Sequence, residues 1–127
     1  MGVPETVAAA MRRTNELFES EVVKKQNLDA LDQIYTAGAR ILPPGAPMME
    51  GREQIKTFWK QAASALGVTG AKLKTIHAET AGDGVVEIGS AELALREGPA
   101  LTVKYVVHWK QEDGAWKWHV DIWNPNQ

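Results

Sequence analysis

The chain has 127 residues and no cysteine, and its 14 Lys and Arg residues against 16 Asp and Glu residues leave a formal net charge of −2. A chain of this length can bury a single core, so we expect residues 1–127 to form one domain. The near balance of charge argues against the basic patch that nucleic acid or an anionic membrane requires. The absence of cysteine excludes disulfides, thiolate nucleophiles and Cys-ligated zinc.

Three amphipathic segments predict three helices in the first half of the chain. A proline followed by a glutamate suits the first turn of a long helix at about residues 4–25. An asparagine can cap a shorter helix at residues 28–35, so that the two helices form a hairpin. A short apolar run at residues 39–42 and a proline-rich loop then precede a third helix at about residues 52–66.

Four segments in the second half of the chain have the composition of strands, and each of the three connections between them contains glycine. The segments are residues 71–80, 85–95, 100–111 and 115–124. Three helices followed by an antiparallel meander predict an α+β domain.

Strict alternation from a two-residue turn at Asp113–Gly114 sorts the last two strands into two faces. One face is almost wholly apolar and carries Tyr105, Val107, Trp109, Trp116, Trp118, Val120 and Ile122. The other face is mixed and carries Lys104, Val106, His108, Lys110, Lys117, His119, Asp121 and Trp123. The pattern alone leaves open whether the mixed face meets solvent or lines a cavity in which a few polar groups interrupt apolar walls.

Two stretches of the sequence together resemble a known superfamily. The first, ILPPGAPMMEGREQIKTFW, follows the helical hairpin, and the second is the ending W-x-W-x-x-D-I-W-N. Over about residues 7–124 the chain is similar to nuclear transport factor 2-like proteins. Within them it resembles the SnoaL-like group, which includes polyketide cyclases, ketosteroid isomerases and the association domain of a calcium/calmodulin-dependent kinase. The resemblance implies a cone-shaped, cystatin-like α+β fold, with three N-terminal helices packed on a strongly curved mixed or antiparallel sheet.

The resemblance also implies a hydrophobic pocket between the long helix and the concave face of the sheet, and a homodimer that partly buries the apolar face. Matching the last hairpin at Gly114 places the mixed face inside the pocket. The expected ligand-binding residues are Tyr35, Trp59, Val106, His108, His119, Asp121 and Trp123. The expected ligand is a small apolar or aromatic molecule.

The catalytic groups of ketosteroid isomerases do not carry over to this chain. Their general base falls at Leu42 and their acidic oxyanion partner at Val106, while their helix tyrosine falls near Thr14 or Glu19. None of these residues has the required functional group. Steroid isomerisation by that mechanism is therefore not expected.

SnoaL-type cyclases use an aspartate on a late strand as acid or base, and Asp121 matches that role. Apolar neighbours would raise the pKa of Asp121, and either His119, the second candidate catalytic residue, or His108 could hold or exchange the proton. The alternative is a structural carboxylate that pairs with Lys104, Arg40 or a backbone amide.

Two functions are compatible with the sequence. The first is an acid–base enzyme of the isomerase, cyclase or lyase type that acts on an apolar carbonyl compound. The second is a non-catalytic ligand-binding or oligomerisation module. We expect no cofactor and no metal, since only His108 and His119 are placed together. We expect no nucleic-acid or membrane partner and a cytoplasmic location.

Overall fold

The helices occupy the first half of the chain in the computed structural model, which describes residues 2–126. Helix α1 spans Glu5–Leu17 and continues as a π-helical segment at Phe18–Lys24. A 3₁₀ helix follows at Leu28–Gln33, and helix α2 spans Arg52–Leu66. The three predicted helical segments are confirmed. No helix within the described part of the chain is both long and apolar enough to cross a bilayer.

Six strands form one mixed sheet with the order β2-β1-β6-β5-β4-β3. The strands are β1 (Tyr35–Leu42), β2 (Met49–Glu50), β3 (Val68–Ala81), β4 (Gly84–Leu95), β5 (Leu101–Glu112) and β6 (Ala115–Pro125). Strands β1 and β6 run parallel, whereas the other neighbouring pairs run antiparallel. The sheet is curved and unclosed with the helices packed against it, so the predicted α+β fold is confirmed.

Strand β1 begins four residues earlier than the apolar run at residues 39–42 predicts. Tyr35, predicted as the last residue of the second helix, is instead the first residue of this strand and pairs with Trp118 of β6. The backbone N–H of Trp118 donates to the carbonyl of Ile34 at 2.7 Å. The parallel partner strand thus supplies the hydrogen bonds that a further helical turn would have supplied.

The hairpin of β5 and β6 has the predicted turn but not the predicted regular ladder. Asp113 and Gly114 have φ values of 55° and 80°, as a two-residue hairpin turn requires. Pairing is regular from Glu112 to Trp109, which faces Trp118, and then shifts by one residue so that His108 faces Val120. His119 is the extra residue of a β-bulge in β6.

The bulge changes which face each later residue of β6 occupies, because side chains alternate along a strand. Trp118 and Asp121 are both buried, at 3% and 5% exposure, whereas Ile122 is 37% exposed. The prediction that Val120 and Ile122 share a face with Trp118 is therefore wrong. The inner face of β6 carries Trp118, then Asp121 and Trp123.

Trp118 lies at the centre of the core. Its ring centroid is 4.9 Å from that of Phe18 and 5.1 Å from that of Tyr35. Its indole N–H donates to Oδ1 of the buried Asn15 at 3.1 Å. Trp109 is fully buried and packs edge-on against Trp118. These contacts join helix and sheet within one chain, so the expectation that this apolar face lies in a homodimer interface is wrong for Trp109 and Trp118.

Candidate functional site

A cavity of about 130 Å³ lies between the helices and the inner face of the sheet. Its walls come from the π-helical segment, α2 and strands β3 to β6, and they include Phe18, Val22, Trp59, Leu73, Tyr105 and Trp123. An apolar cavity of about 150 Å³ can hold benzene. The cavity thus has room for about one six-membered ring.

Aromatic rings form one wall of this cavity. Trp59 of α2 and Trp123 of β6 are stacked with their centroids 5.2 Å apart and their planes 17° apart. Phe58 packs edge-on against both indoles, and Phe18 packs edge-on against Trp59. A wall of this kind suits a flat or apolar ligand, because it offers large contact area with few polar atoms.

Asp121 carries the only carboxyl group among the described residues that line the cavity. Its Oδ2 accepts a 2.6 Å hydrogen bond from the hydroxyl of Tyr35, which is itself fully buried. The Tyr35 oxygen in turn accepts a 3.3 Å hydrogen bond from Nε1 of Trp59. Because an indole nitrogen can only donate, this chain of bonds directs the tyrosine proton to Asp121.

The second carboxyl oxygen of Asp121, Oδ1, accepts no hydrogen bond from the described residues. Tyr35 is the one hydrogen-bond donor to this carboxyl group among the described side chains, and no fully buried side-chain oxygen or nitrogen in residues 2–126 lacks a partner. Oδ1 therefore keeps some accessible surface, and Asp121 is one of the residues that line the cavity. Oδ1 is the oxygen available to take up a proton, since Oδ2 already accepts the hydrogen bond from Tyr35.

Burial raises the pKa of Asp121 to about 7. The hydrogen bond from Tyr35 lowers it, and the negative charge of Glu87 raises it. Burial and the neighbouring Asp121 also hold the pKa of Tyr35 well above its ordinary value, so Tyr35 remains a donor. Near neutral pH, Asp121 can therefore be present both as an acid and as a base.

Charged side chains fix the start of β1, and with it Tyr35. Arg52 at the beginning of α2 donates to the carbonyl of Tyr35 at 2.8 Å and to Oε1 of Glu112 at 2.6 Å. Glu112 also accepts from the backbone N–H of Ala37 and from Nζ of Lys117. The Ala37 N–H and the two cations hold the pKa of Glu112 at about 2. The turn between β5 and β6 is thereby tied to the strand that carries Tyr35.

The family model for the SnoaL-like domain matches residues 15–119. The chain belongs to the SnoaL-like family. This confirms the resemblance seen in the proline-rich loop and the terminal hairpin. No curated protein sequence matches the chain.

Solved structures show the same fold at low sequence identity. Hexachlorocyclohexane dehydrochlorinase LinA-type3 from Novosphingobium barchaimii LL02 is 18% identical, with a TM-score of 0.73, over 96% of this chain and 88% of that one. A protein of unknown function with a cystatin-like fold from Nostoc punctiforme is 11% identical, with a TM-score of 0.77, over 99% and 96%. An NTF2-like protein from Cytophaga hutchinsonii is 13% identical, with a TM-score of 0.71, over 97% and 98%.

The SnoaL-like domain brings together four of the seven predicted ligand-binding residues. Trp59, Asp121 and Trp123 line the cavity, and Tyr35 lies directly behind Asp121. Val106 does not reach this site, because it lies on the outer face of β5 and is 40% exposed. The bulge in β6 is the physical reason, since it puts Asp121 opposite the inward-facing Val107.

The two histidines of the hairpin also lie away from the cavity of the SnoaL-like domain. The ring of His119 is turned toward β1, where Nδ1 is 2.8 Å from Oγ1 of Thr36. Its ring centroid is 5.8 Å from that of His108. Burial lowers the pKa of His119, and the nearby Lys110 and His108 add to this effect. The expected exchange of a proton between a histidine and Asp121 therefore has no geometric support, and Tyr35 occupies that place.

A third histidine, His77, lies on the exposed strand β3, 2.8 Å from the carboxylate of Glu79. Within residues 2–126 of the SnoaL-like domain, no group of three or more His, Asp or Glu side chains is arranged to hold a metal ion. His77, His108, His119 and Asp121 are thus not arranged as a zinc site in the described part of the chain.

Glu87 is a buried carboxylate of the SnoaL-like domain that sequence reasoning missed. It has no exposed surface, and it accepts hydrogen bonds from Thr75 at 2.6 Å and from Tyr105 and Trp109 at 2.9 Å. The alternation of inward and outward residues along β4 could have identified Glu87 as buried, because Val85 and Ala91 on the same face are core residues. A glutamate at such a position needs buried donors.

Proposed function

We propose that the protein binds a small apolar carbonyl compound and catalyses proton transfer on it, in a reaction of the isomerase, cyclase or lyase type. Asp121 is the acid and base. The observation that carries this proposal is a buried carboxyl group with one oxygen open to an apolar cavity and a pKa of about 7. General acid–base catalysis works best with a group that titrates near the working pH.

The chemistry follows from the two oxygens of Asp121. The apolar body of the substrate packs against Trp59 and Trp123. In this position, the C–H bond on the carbon adjacent to the substrate carbonyl lies beside Oδ1. The ionised carboxylate takes this proton, the C–H bond breaks, and its electron pair moves into the carbonyl to form an enolate. The new O–H of Asp121 then returns the proton to carbon or to oxygen, which regenerates the carboxylate.

Tyr35 is a positioning residue in this scheme. Its hydroxyl keeps Oδ2 engaged, so proton exchange takes place at Oδ1. A hydrogen bond to a charged acceptor is stronger than one to a neutral acceptor, so Tyr35 also stabilises the ionised form. This partly offsets the burial that favours the neutral form.

The name of one structural neighbour is in keeping with this proposal. Hexachlorocyclohexane dehydrochlorinase is named for a six-membered ring compound and for the removal of hydrogen chloride from it. At 18% identity the likeness concerns the fold alone. The name agrees with the size and apolar character of the molecule that we propose for this cavity.

Exchange of the α-hydrogens of cyclohexanone for deuterium in D₂O tests the proposal. The wild-type protein should bind cyclohexanone and accelerate this exchange, whereas the Asp121→Asn variant should bind it without acceleration. Equal exchange with both proteins would show that Asp121 is not the base. Binding without exchange by the wild type would favour the second candidate function, a non-catalytic ligand-binding module.

We also propose that the protein forms a homodimer through the outer face of its sheet. Ile88, Val106 and Ile122 are direct neighbours on three adjacent strands. They form an apolar row with exposures of 43%, 40% and 37%. Contact with a second copy would remove this row from water. A cytoplasmic location stays a prediction.

A further inference from the structure

Gly89 of β4 faces the core and pairs directly with Tyr105 of β5. A Cβ atom built at Gly89 would overlap the Cζ and the hydroxyl of the Tyr105 phenol, and it would lie 2.8 Å from the carbonyl oxygen of Lys74. The phenol thus lies across the backbone of β4 in space that any other residue at position 89 would occupy. This is a requirement for glycine that arises from packing, since Gly89 has no positive φ.

The hydroxyl of the same ring is held by a buried carboxylate. The hydroxyl of Tyr105 donates to Oε2 of Glu87 at 2.9 Å. Thr75 and Trp109 complete the hydrogen bonds of Glu87, which has no exposed surface. Moving the phenol away would leave a buried acceptor with one donor fewer, which is unfavourable.

Tyr105 also contacts the cavity. Tyr105 is part of its wall, together with Ala91 and Leu93 of the same strand β4. Because protein cores are closely packed, the empty volume is the space into which a displaced phenol could move. Tyr105 thus lies against Gly89 and also forms part of the wall of the cavity of about 130 Å³.

We infer that Gly89, Tyr105 and Glu87 together determine the size of the molecule that the cavity admits. With the phenol held across Gly89, the cavity takes a compound of one six-membered ring and rejects a fused two-ring compound. This inference rests on the proposed function only in taking the cavity as the ligand site. In this arrangement Gly89 and Glu87 are specificity-determining residues that act through the position of the Tyr105 ring.

Binding of cyclohexanone and of 2-decalone to a set of variants, measured by NMR titration, tests the inference. The wild type should bind cyclohexanone and not 2-decalone. Gly89→Ala should weaken cyclohexanone binding by about tenfold or more, the effect expected of overpacking. Gly70→Ala is the matched control, because a Cβ there would meet only the Cβ of Ala94, at an ordinary 3.7 Å.

A compensating variant separates displacement of the ring from general damage to the fold. Tyr105→Leu combined with Gly89→Ala removes the ring that the new methyl group displaces, so cyclohexanone binding should return. Tyr105→Leu alone should also admit 2-decalone. Cyclohexanone binding that is unchanged in Gly89→Ala, or lost equally in the double variant, would overturn the inference.

The crystal structure of the Gly89→Ala variant gives a result that needs no ligand. The phenol of Tyr105 should be displaced and the cavity reduced. A phenol in its original place beside an unchanged cavity would overturn the inference. If the wild type binds neither ketone, the proposed function fails, and this crystal structure still decides whether Gly89 and Tyr105 set the size of the cavity.

Discussion

The hydroxyl of Tyr35 donates to Oδ2 of Asp121 at 2.6 Å, although the two residues are 86 positions apart in sequence. The bond links the first residue of β1 to a residue of β6, its parallel neighbour in the sheet. The two oxygens of this carboxyl group therefore differ. Oδ2 accepts the hydrogen bond from Tyr35, whereas Oδ1 remains accessible. The chemistry that we propose for the cavity depends on this division.

Asp121 should make the stability of the protein depend on pH. Its pKa is raised from 3.8 to about 7 on folding, so the folded state holds a proton that the unfolded state releases between these values. The resulting stabilisation is complete below pH 3.8, is lost as the pH rises through 7, and amounts to about 4 kcal/mol. Urea unfolding from pH 4 to pH 8 measures it.

The Asp121→Asn variant is the control for this prediction, because the amide cannot titrate. The difference in unfolding free energy between wild type and variant should change by about 4 kcal/mol across the same pH range. A difference that is constant with pH would mean that Asp121 titrates at its ordinary value in the folded protein.

Tyr35→Phe should raise the pKa of Asp121 above about 7, because the hydrogen bond that lowers it is removed. The variant should also lose about 1–3 kcal/mol of stability, since the indole N–H of Trp59 loses its acceptor. A ¹³C NMR titration of the Asp121 carboxyl group measures the first effect. An unchanged titration curve would show that the hydrogen bond from Tyr35 does not stabilise the ionised form of Asp121.

Glu112 should contribute acid sensitivity in a different pH window. Its pKa is lowered from 4.5 to about 2, chiefly by the backbone N–H of Ala37. The stabilisation is therefore present above pH 4.5 and lost as the pH falls through 2. Glu112→Gln should make unfolding less dependent on pH in this range. Acid titrations followed by circular dichroism that coincide for the two proteins would contradict the prediction.

Val106→Lys should convert the proposed homodimer into monomers, because it places a charge in the middle of the apolar row with Ile88 and Ile122. Light scattering coupled to size-exclusion chromatography measures the mass of each species. Ala100→Lys adds the same charge at an exposed position outside the strands and should leave the dimer intact. A wild-type protein that is monomeric at high concentration would exclude this interface.

Local sequence patterns predicted the helices, the strands of the second half and the turn at Asp113–Gly114. These features depend on neighbouring residues, whose periodicity and turn chemistry are visible in the sequence. The two-face assignment failed after Trp118, because a bulge depends on pairing with other strands. His119 has no unusual sequence context that would mark it as the extra residue.

The parts of the site that were not predicted are contacts between distant residues. Tyr35 was expected as a pocket residue from family resemblance, but its bond to Asp121 requires the parallel pairing of β1 with β6. Alternation along β4 marks Glu87 as inward-facing, but its three donors come from β3 and β5 and cannot be identified from the sequence. The sequence shows that Asp121 and Glu87 stand among apolar residues, but it does not show which groups hold them.

The bulge at His119 reverses which positions of the last strand face inward. Odd-numbered residues face outward before the bulge and inward after it. Trp118 and Asp121 therefore both face inward, although they are three positions apart in sequence. A second inserted residue between them would turn Asp121 and Trp123 toward solvent and bring Val120 and Ile122 inside, with hardly any change in composition. Insertions and deletions in this short segment would thus alter the cavity more deeply than most substitutions within it.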